Sequence, residues 1–114
     1  MIKVMAFLTK KDGMSTQDLI EYYENHHVPL ITKLAPIPSV YKRNYILRND
    51  DSSTKDDFDI VTELVFPDRG AYEAWVAKMY APHSGVAEDE LNFLDRSRTR
   101  SYVVEEHVTS EHLQ

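Results

Sequence analysis

Positions 2–9, IKVMAFLT, place Ile2, Val4, Ala6 and Leu8 on one face of a strand and Met5 and Phe7 on the other. Both faces are apolar, so both need cover. Lys10–Met14 is a turn with Gly13 as its pivot. Ser15 then offers a side-chain cap, and Asp18 suits the positive end of the helix that follows. That helix carries Leu19, Tyr23, Leu30 and Leu34 as an apolar stripe, with Tyr22 beside it, and stops at Pro36 and Pro38. A second strand is predicted over about Val40 to Arg48, and a polar hairpin connection over Asn49–Asp57. The third strand is Phe58–Phe66. Pro67 and Asp68 start a second helix, whose Tyr72, Trp75, Val76, Met79 and Tyr80 recur at helical spacing. The segment Ala81–Gly85 interrupts it. A short helix resumes over Val86–Asp95 with Ala87, Leu91 and Leu94 inward, and the last strand covers about Arg96 to Glu105.

The order β-α-β-β-α-β predicts an α+β, ferredoxin-like domain: a four-stranded antiparallel sheet with both helices on one face. The domain is expected over residues 1–106, with a polar C-terminal tail, 107–114. The other face of the sheet would carry Met5 and Phe7, with either Tyr41, Tyr45 and Leu47 or Val40 and Ile46 beside them. So much apolar surface is more than a soluble monomer usually exposes. A second copy packed about a two-fold axis would cover it, which predicts a homodimer, a dimeric α+β barrel whose two chains enclose a dry chamber.

Composition narrows the function. The chain has 114 residues, enough for one core, and 42% of them are hydrophobic. Cysteine is absent, which removes thiolate chemistry and iron–sulfur clusters and fits a reducing, cytoplasmic location. The formal charge of −6 argues against nucleic acid as a partner. No apolar run approaches the length of a membrane span, and the N-terminus lacks the form of a signal peptide. No glycine-rich phosphate loop, His-Glu-x-x-His or Gly-x-Ser-x-Gly occurs, so nucleotide, flavin and zinc chemistry are not expected. Acid–base chemistry without a cofactor remains.

Two segments carry a family likeness. Gly13–Ile31, GMSTQDLIEYYENHHVPLI, holds a tyrosine-rich helix ending in His27-Val28-Pro29. Val86–Glu106 contains Asp89-Glu90-x-x-Phe93-Leu94-Asp95 leading into the last strand. With the order of elements between them, the chain resembles the EthD family of the dimeric α+β barrel superfamily. The resemblance implies a cofactor-free enzyme, closest in feel to fungal decarboxylases and dehydratases that tailor aromatic polyketides. The superfamily also holds cofactor-independent monooxygenases, isomerases and polyketide cyclases. Tyr80–Gly85, YAPHSG, is similar to the loop bearing a catalytic histidine in plant polyketide cyclases, which would put His83 in that place.

The candidate residues follow. His26 and His27 fall on the two flanks of the apolar stripe, and adjacent helix residues do not converge on one point. The pair is therefore no metal clamp, and the resemblance selects His27. Imidazole exchanges protons near neutral pH, so His27 is expected as general acid or base, with His83 as its catalytic companion. A structural role, bridging the helix end to a backbone carbonyl beside Pro29, is the competing reading. Tyr23, Tyr41, Tyr45 and Phe7 are candidates to line a substrate pocket. Glu63, mid-strand, would have a raised pKa if it faced an apolar barrel. The expected partner is a small aromatic or polyketide acid undergoing decarboxylation, dehydration or cyclisation. Oxygenation of a phenol without a cofactor is one alternative, and a non-enzymatic ligand-binding module is another.

Overall fold

The computed structural model describes residues 1–48 and 57–111. Most of the predicted hairpin connection, and His112 in the tail, lie outside the described residues. Strands β1 (Ile2–Leu8), β2 (Val40–Tyr45), β3 (Ile60–Phe66) and β4 (Arg100–Val104) form one sheet in the order β2-β3-β1-β4. All its pairings are antiparallel. Helices α1 (Thr16–Tyr22), α2 (Val28–Leu34), α3 (Arg69–Met79) and α4 (Val86–Glu90) complete the chain. This is the ferredoxin-like α+β plan expected from the pattern. Among the described residues, no helix is long and apolar enough to cross a membrane.

The caps follow the sequence. The Ser15 side chain accepts from the Asp18 amide at 3.1 Å, and Asp68 accepts from the Ala71 amide at 2.8 Å. Each satisfies one of the amides that a helix start leaves open. The register then sorts the sheet's faces, because opposed residues point the same way. Val4, Ala6 and Leu8 share the helix side with Ile60, Thr62 and Leu64. Lys3, Met5 and Phe7 share the open side with Val61, Glu63 and Val65. From β2, Tyr41 packs against the helix-side core, which leaves Val40 and Lys42 on the open side.

Between α1 and α2 the chain makes a π-helical turn, Tyr23–His27. The Val28 amide bonds back to the Tyr23 carbonyl, five residues earlier. This turn changes which residues are inward. The buried positions are Leu19, Tyr23, His27, Ile31 and Ala35, a strict spacing of four, rather than the stripe through Leu30 and Leu34. On a regular α-helix, four residues overshoot a turn by about 40°, so the stripe would rotate off the core. The wider π turn absorbs the overshoot and brings His27 under the sheet. It also accommodates Pro29, which has no amide to offer and whose ring would crowd the carbonyl four residues back in a regular helix. Proline and π turn thus serve one purpose: they aim His27 inward.

Two details depart from the pattern at the C-terminal end. Helix α4 is short, and beyond it Phe93 and Leu94 are buried while Leu91 is 58% exposed. Asp95–Arg98 is not strand: Asp95 caps a 3-10 turn, Arg96–Arg98, by accepting from the Ser97 amide. Phe93, Leu19 and Ile60 are fully buried, and each contributes about 1.5–3 kcal/mol through removal of its side chain from water.

Candidate active site

A cavity of about 260 Å³ lies between the helix side of the sheet and the helices. One chain forms it. The aromatic and titratable side chains of this chain gather on the helix side, around that cavity. The π turn contributes Tyr23 and His27, β2 contributes Tyr41, α3 contributes Tyr72 and Trp75, and α4 contributes Glu90. The volume sits just below the usual range for small-molecule sites, about 300–1,000 Å³.

His27 is 2% exposed and is held on two sides. Phe93 packs against its ring at 4.8 Å and Tyr23 meets it edge-on at 5.4 Å. Its Nδ1 lies 2.8 Å from Asp89 Oδ2. An ionised carboxylate can only accept, so Nδ1 carries the hydrogen and the neutral ring keeps its lone pair on Nε2. The competing expectation, a backbone carbonyl beside Pro29 as the ring's partner, gives way to a side chain from α4. Asp89 is itself fixed: Tyr22 donates its hydroxyl to Oδ1 at 2.6 Å, and Asn92 approaches the same oxygen at 3.4 Å. Burial works against the charge on Asp89, yet the bonds from Tyr22 and His27 outweigh it and hold the carboxyl below its ordinary 3.8. Tyr22, partly buried and bonded to that carboxylate, is pushed up in turn.

Beyond Nε2 stands a second carboxylate. Glu90 Oε2 is 4.0 Å away, too far for a hydrogen bond and close enough for a ligand atom or water to join the two. Glu90 accepts from Tyr80 at 3.1 Å and from Arg96 Nε at 2.8 Å. Across the cavity, the Tyr23 hydroxyl lies 3.2 Å from both the Tyr41 hydroxyl and Thr62 Oγ1. Three hydroxyl hydrogens share two bonds, so one remains for an acceptor outside the trio. Burial pushes both Tyr23 and Tyr41 well up, so they remain neutral donors. Trp75 Nε1 is also buried with no hydrogen-bond partner among the described residues.

The candidates from the sequence therefore separate. His27, Tyr23 and Tyr41 meet in the cavity. Tyr45 does not join them; it donates its hydroxyl to Glu24, which Arg43 also clamps through Nε and Nη2. Phe7 lies on the open side of the sheet against Phe58 and Tyr102. Glu63 lies there too, 3.1 Å from Lys3 Nζ. The lysine, with help from Asn44, draws its carboxyl down rather than up, so the expected raised pKa is corrected. His83 is exposed in the turn after α3, at φ 69°, and is not among the cavity's lining residues. His26 is exposed and stacks on Tyr22 at 4.8 Å. Sequence reasoning gave no role to Asp89, Glu90, Thr62 or Arg96. The adjacent acids stood inside the Asp-Glu-x-x-Phe-Leu-Asp segment, and that was the available signal.

Fold and site together define a ferredoxin-like domain with a histidine–carboxylate pair in an aromatic cavity. The EthD domain model matches residues 11–97, and the chain belongs to the EthD family. Among solved structures, an EthD family protein from Bacillus halodurans C-125 superposes with a TM-score of 0.63 at 21% identity, covering 94% of this chain and 99% of its own. A dimeric ferredoxin-like protein from Thermobifida fusca YX gives 0.52 at 17%, covering 90% and 88%. The hydroxynitrile lyase of Passiflora edulis gives 0.53 at 16%, covering 95% and 96%. At these identities the likeness is one of fold. No sequence among the curated proteins matches the chain.

Proposed function

We propose that the protein is a cofactor-independent enzyme of lyase type, acting on a small aromatic or polyketide acid by decarboxylation, dehydration or cyclisation. His27 is the base: Nε2 takes a proton from the substrate, and Asp89 steadies the imidazolium that forms. The spare hydrogen of the Tyr23–Tyr41–Thr62 trio donates to the oxygen on which negative charge develops. The single observation that carries this reading is His27 itself, buried at the cavity wall with Nδ1 tied to Asp89. A packing histidine needs no such orienting carboxylate, and the carboxylate is in turn fixed by Tyr22. The lyase among the structural neighbours supports the reaction class by analogy of fold.

The same proposal takes the molecule to be a homodimer in the cytoplasm, joined through the open face of the sheet. Met5, Phe7 and Tyr102 form its apolar centre, and one structural neighbour is described as dimeric.

The test is turnover of a panel of aryl β-keto and β-hydroxy acids, followed by mass spectrometry and proton NMR in D₂O. Decarboxylated, dehydrated or ring-closed product, or deuterium entering the carbon next to a carbonyl, is expected with the native chain. His27→Gln should reduce the rate by about 10²–10⁴-fold with the fold retained. Unchanged turnover in that variant removes His27 from the chemistry. Oxygen consumption with electron-rich phenols in place of these products would mark an oxygenase instead.

A further inference from the structure

The cavity has one polar rim that the acid–base reading does not use. Arg96 lines it from the 3-10 turn, Thr99 from the residue between that turn and β4, and Ser101 from β4. Ser101 opposes Ala6 on the helix side of the sheet, and extended backbone at Thr99 places that side chain on the same face. Arg96 is anchored: only its Nε reaches Glu90, at 2.8 Å, while Nη1 and Nη2 make no hydrogen bond among the described residues. The Thr99 and Ser101 hydroxyls likewise have no side-chain bond among the described residues. With its side chain 42% exposed, Arg96 sits at the mouth of the cavity, while His27 lies deep. One residue links them, since Glu90 holds Arg96 through Oε1 and faces His27 Nε2 with Oε2.

We infer that Arg96, Thr99 and Ser101 form a carboxylate-binding rim, which holds the acid group of the substrate at the mouth while the reacting carbon lies beside His27. This rests on the cavity being the reaction site, and it narrows the reaction. A guanidinium fork with its terminal nitrogens free matches a carboxylate in two parallel hydrogen bonds, a match that neither lysine nor the neutral hydroxyls could supply alone. A carboxylate held this way is stabilised as an anion before reaction. Loss of carbon dioxide would drain that charge away from Arg96, so the rim opposes decarboxylation. Dehydration and ring closure keep the carboxylate and lose nothing. The substrate is therefore an acid that stays an acid. Glu90 limits the affinity, because its charge already answers half of Arg96 and repels the incoming anion.

Benzoate and its neutral counterpart benzamide test the rim on the full chain, by titration calorimetry and amide chemical shifts at low salt. Benzoate should bind about tenfold tighter than benzamide and should shift the Arg96, Thr99 and Ser101 amides. Arg96→Gln should erase the preference by weakening benzoate alone, Thr99→Val should weaken it several-fold, and Glu90→Gln should strengthen it. Equal binding of the two probes overturns the inference, as does benzoate binding that survives Arg96→Gln in a folded protein. If that variant does not fold, Thr99→Val decides by the same criterion. Binding is read without turnover, so the rim is tested apart from the chemistry. A native protein that discriminates the probes but catalyses nothing refutes the catalytic reading and leaves the rim.

Discussion

The two faces of the sheet use the same alternating strands to opposite ends. On the helix side, Val4, Leu64 and Phe66 are buried, and Tyr23, His27 and Thr62 are tied into hydrogen bonds. On the open side, Met5, Phe7 and Val61 are only partly covered, and Lys3, Glu63 and Lys42 stand among them. Their electrostatics differ accordingly. Lys3 pairs with Glu63 and Glu106 near water, where solvent weakens each contact. His27 and Asp89 pair where one partner is almost wholly buried, and there a charge without its partner is costly. The lesson is that equal hydrogen-bond counts do not mean equal consequence. Position relative to the helices decides which carboxylate orients a histidine and which only decorates a surface.

Mutations can break or sharpen that contrast. The largest effect on stability is expected from Phe93→Ala, which removes a fully buried ring touching Tyr22, Tyr23 and His27. Denaturant unfolding should show a loss of about 3–5 kcal/mol. A loss below ~1 kcal/mol would mean that the helix side is not the core of the molecule.

Next comes the open face. Tyr102→Glu puts a charge at its apolar centre and should raise the dimer dissociation constant by about tenfold or more in sedimentation, with little change in the amide spectrum of the cavity residues. A native chain that sediments as a monomer at micromolar concentration would remove the dimer outright.

Asp89→Asn should act through pH. The carboxyl of Asp89 is lower in the folded protein than its ordinary 3.8, so its stabilising contribution is present above that value and disappears as pH falls through the folded pKa. The native chain should therefore melt higher than the variant at pH 6, and the gap should close in strong acid. A gap that persists at pH 2 would assign the difference to shape rather than charge.

The smallest effect belongs to Glu63→Gln. Lys3 keeps Glu106, so the shift in midpoint should be under about a fifth of that of Phe93→Ala. A larger shift would place the open face in a more buried setting, as a tight dimer interface would.

Much of the fold was legible along the chain. Alternation at Ile2–Leu8 and Ile60–Phe66, the caps at Ser15 and Asp68, and the prolines after Leu34 are local features with local causes. They fixed the β-α-β-β-α-β order, and the paired motifs fixed the family. His27, Tyr23 and Tyr41 were legible as candidates because aromatic and titratable side chains on apolar faces are conspicuous, and the fold brings all three to one cavity. The orientation of His27 was not. A regular 3.6-residue helix puts it on a flank, and only the π turn, stabilised by packing of Tyr23 and His27 against Phe93 from a distant segment, turns it inward. Tyr45, Phe7, Glu63 and His83 looked equally eligible in one dimension, yet strand register and loop geometry send them elsewhere.

Sequence alone determined the order of strands and helices, because period and capping act over a few residues. Tertiary structure decided that Asp89 meets His27 across 62 positions and that Glu90 stands between His27 and Arg96. Such partnerships depend on how helices settle on a sheet, a packing balance summed over the whole core that no local pattern encodes.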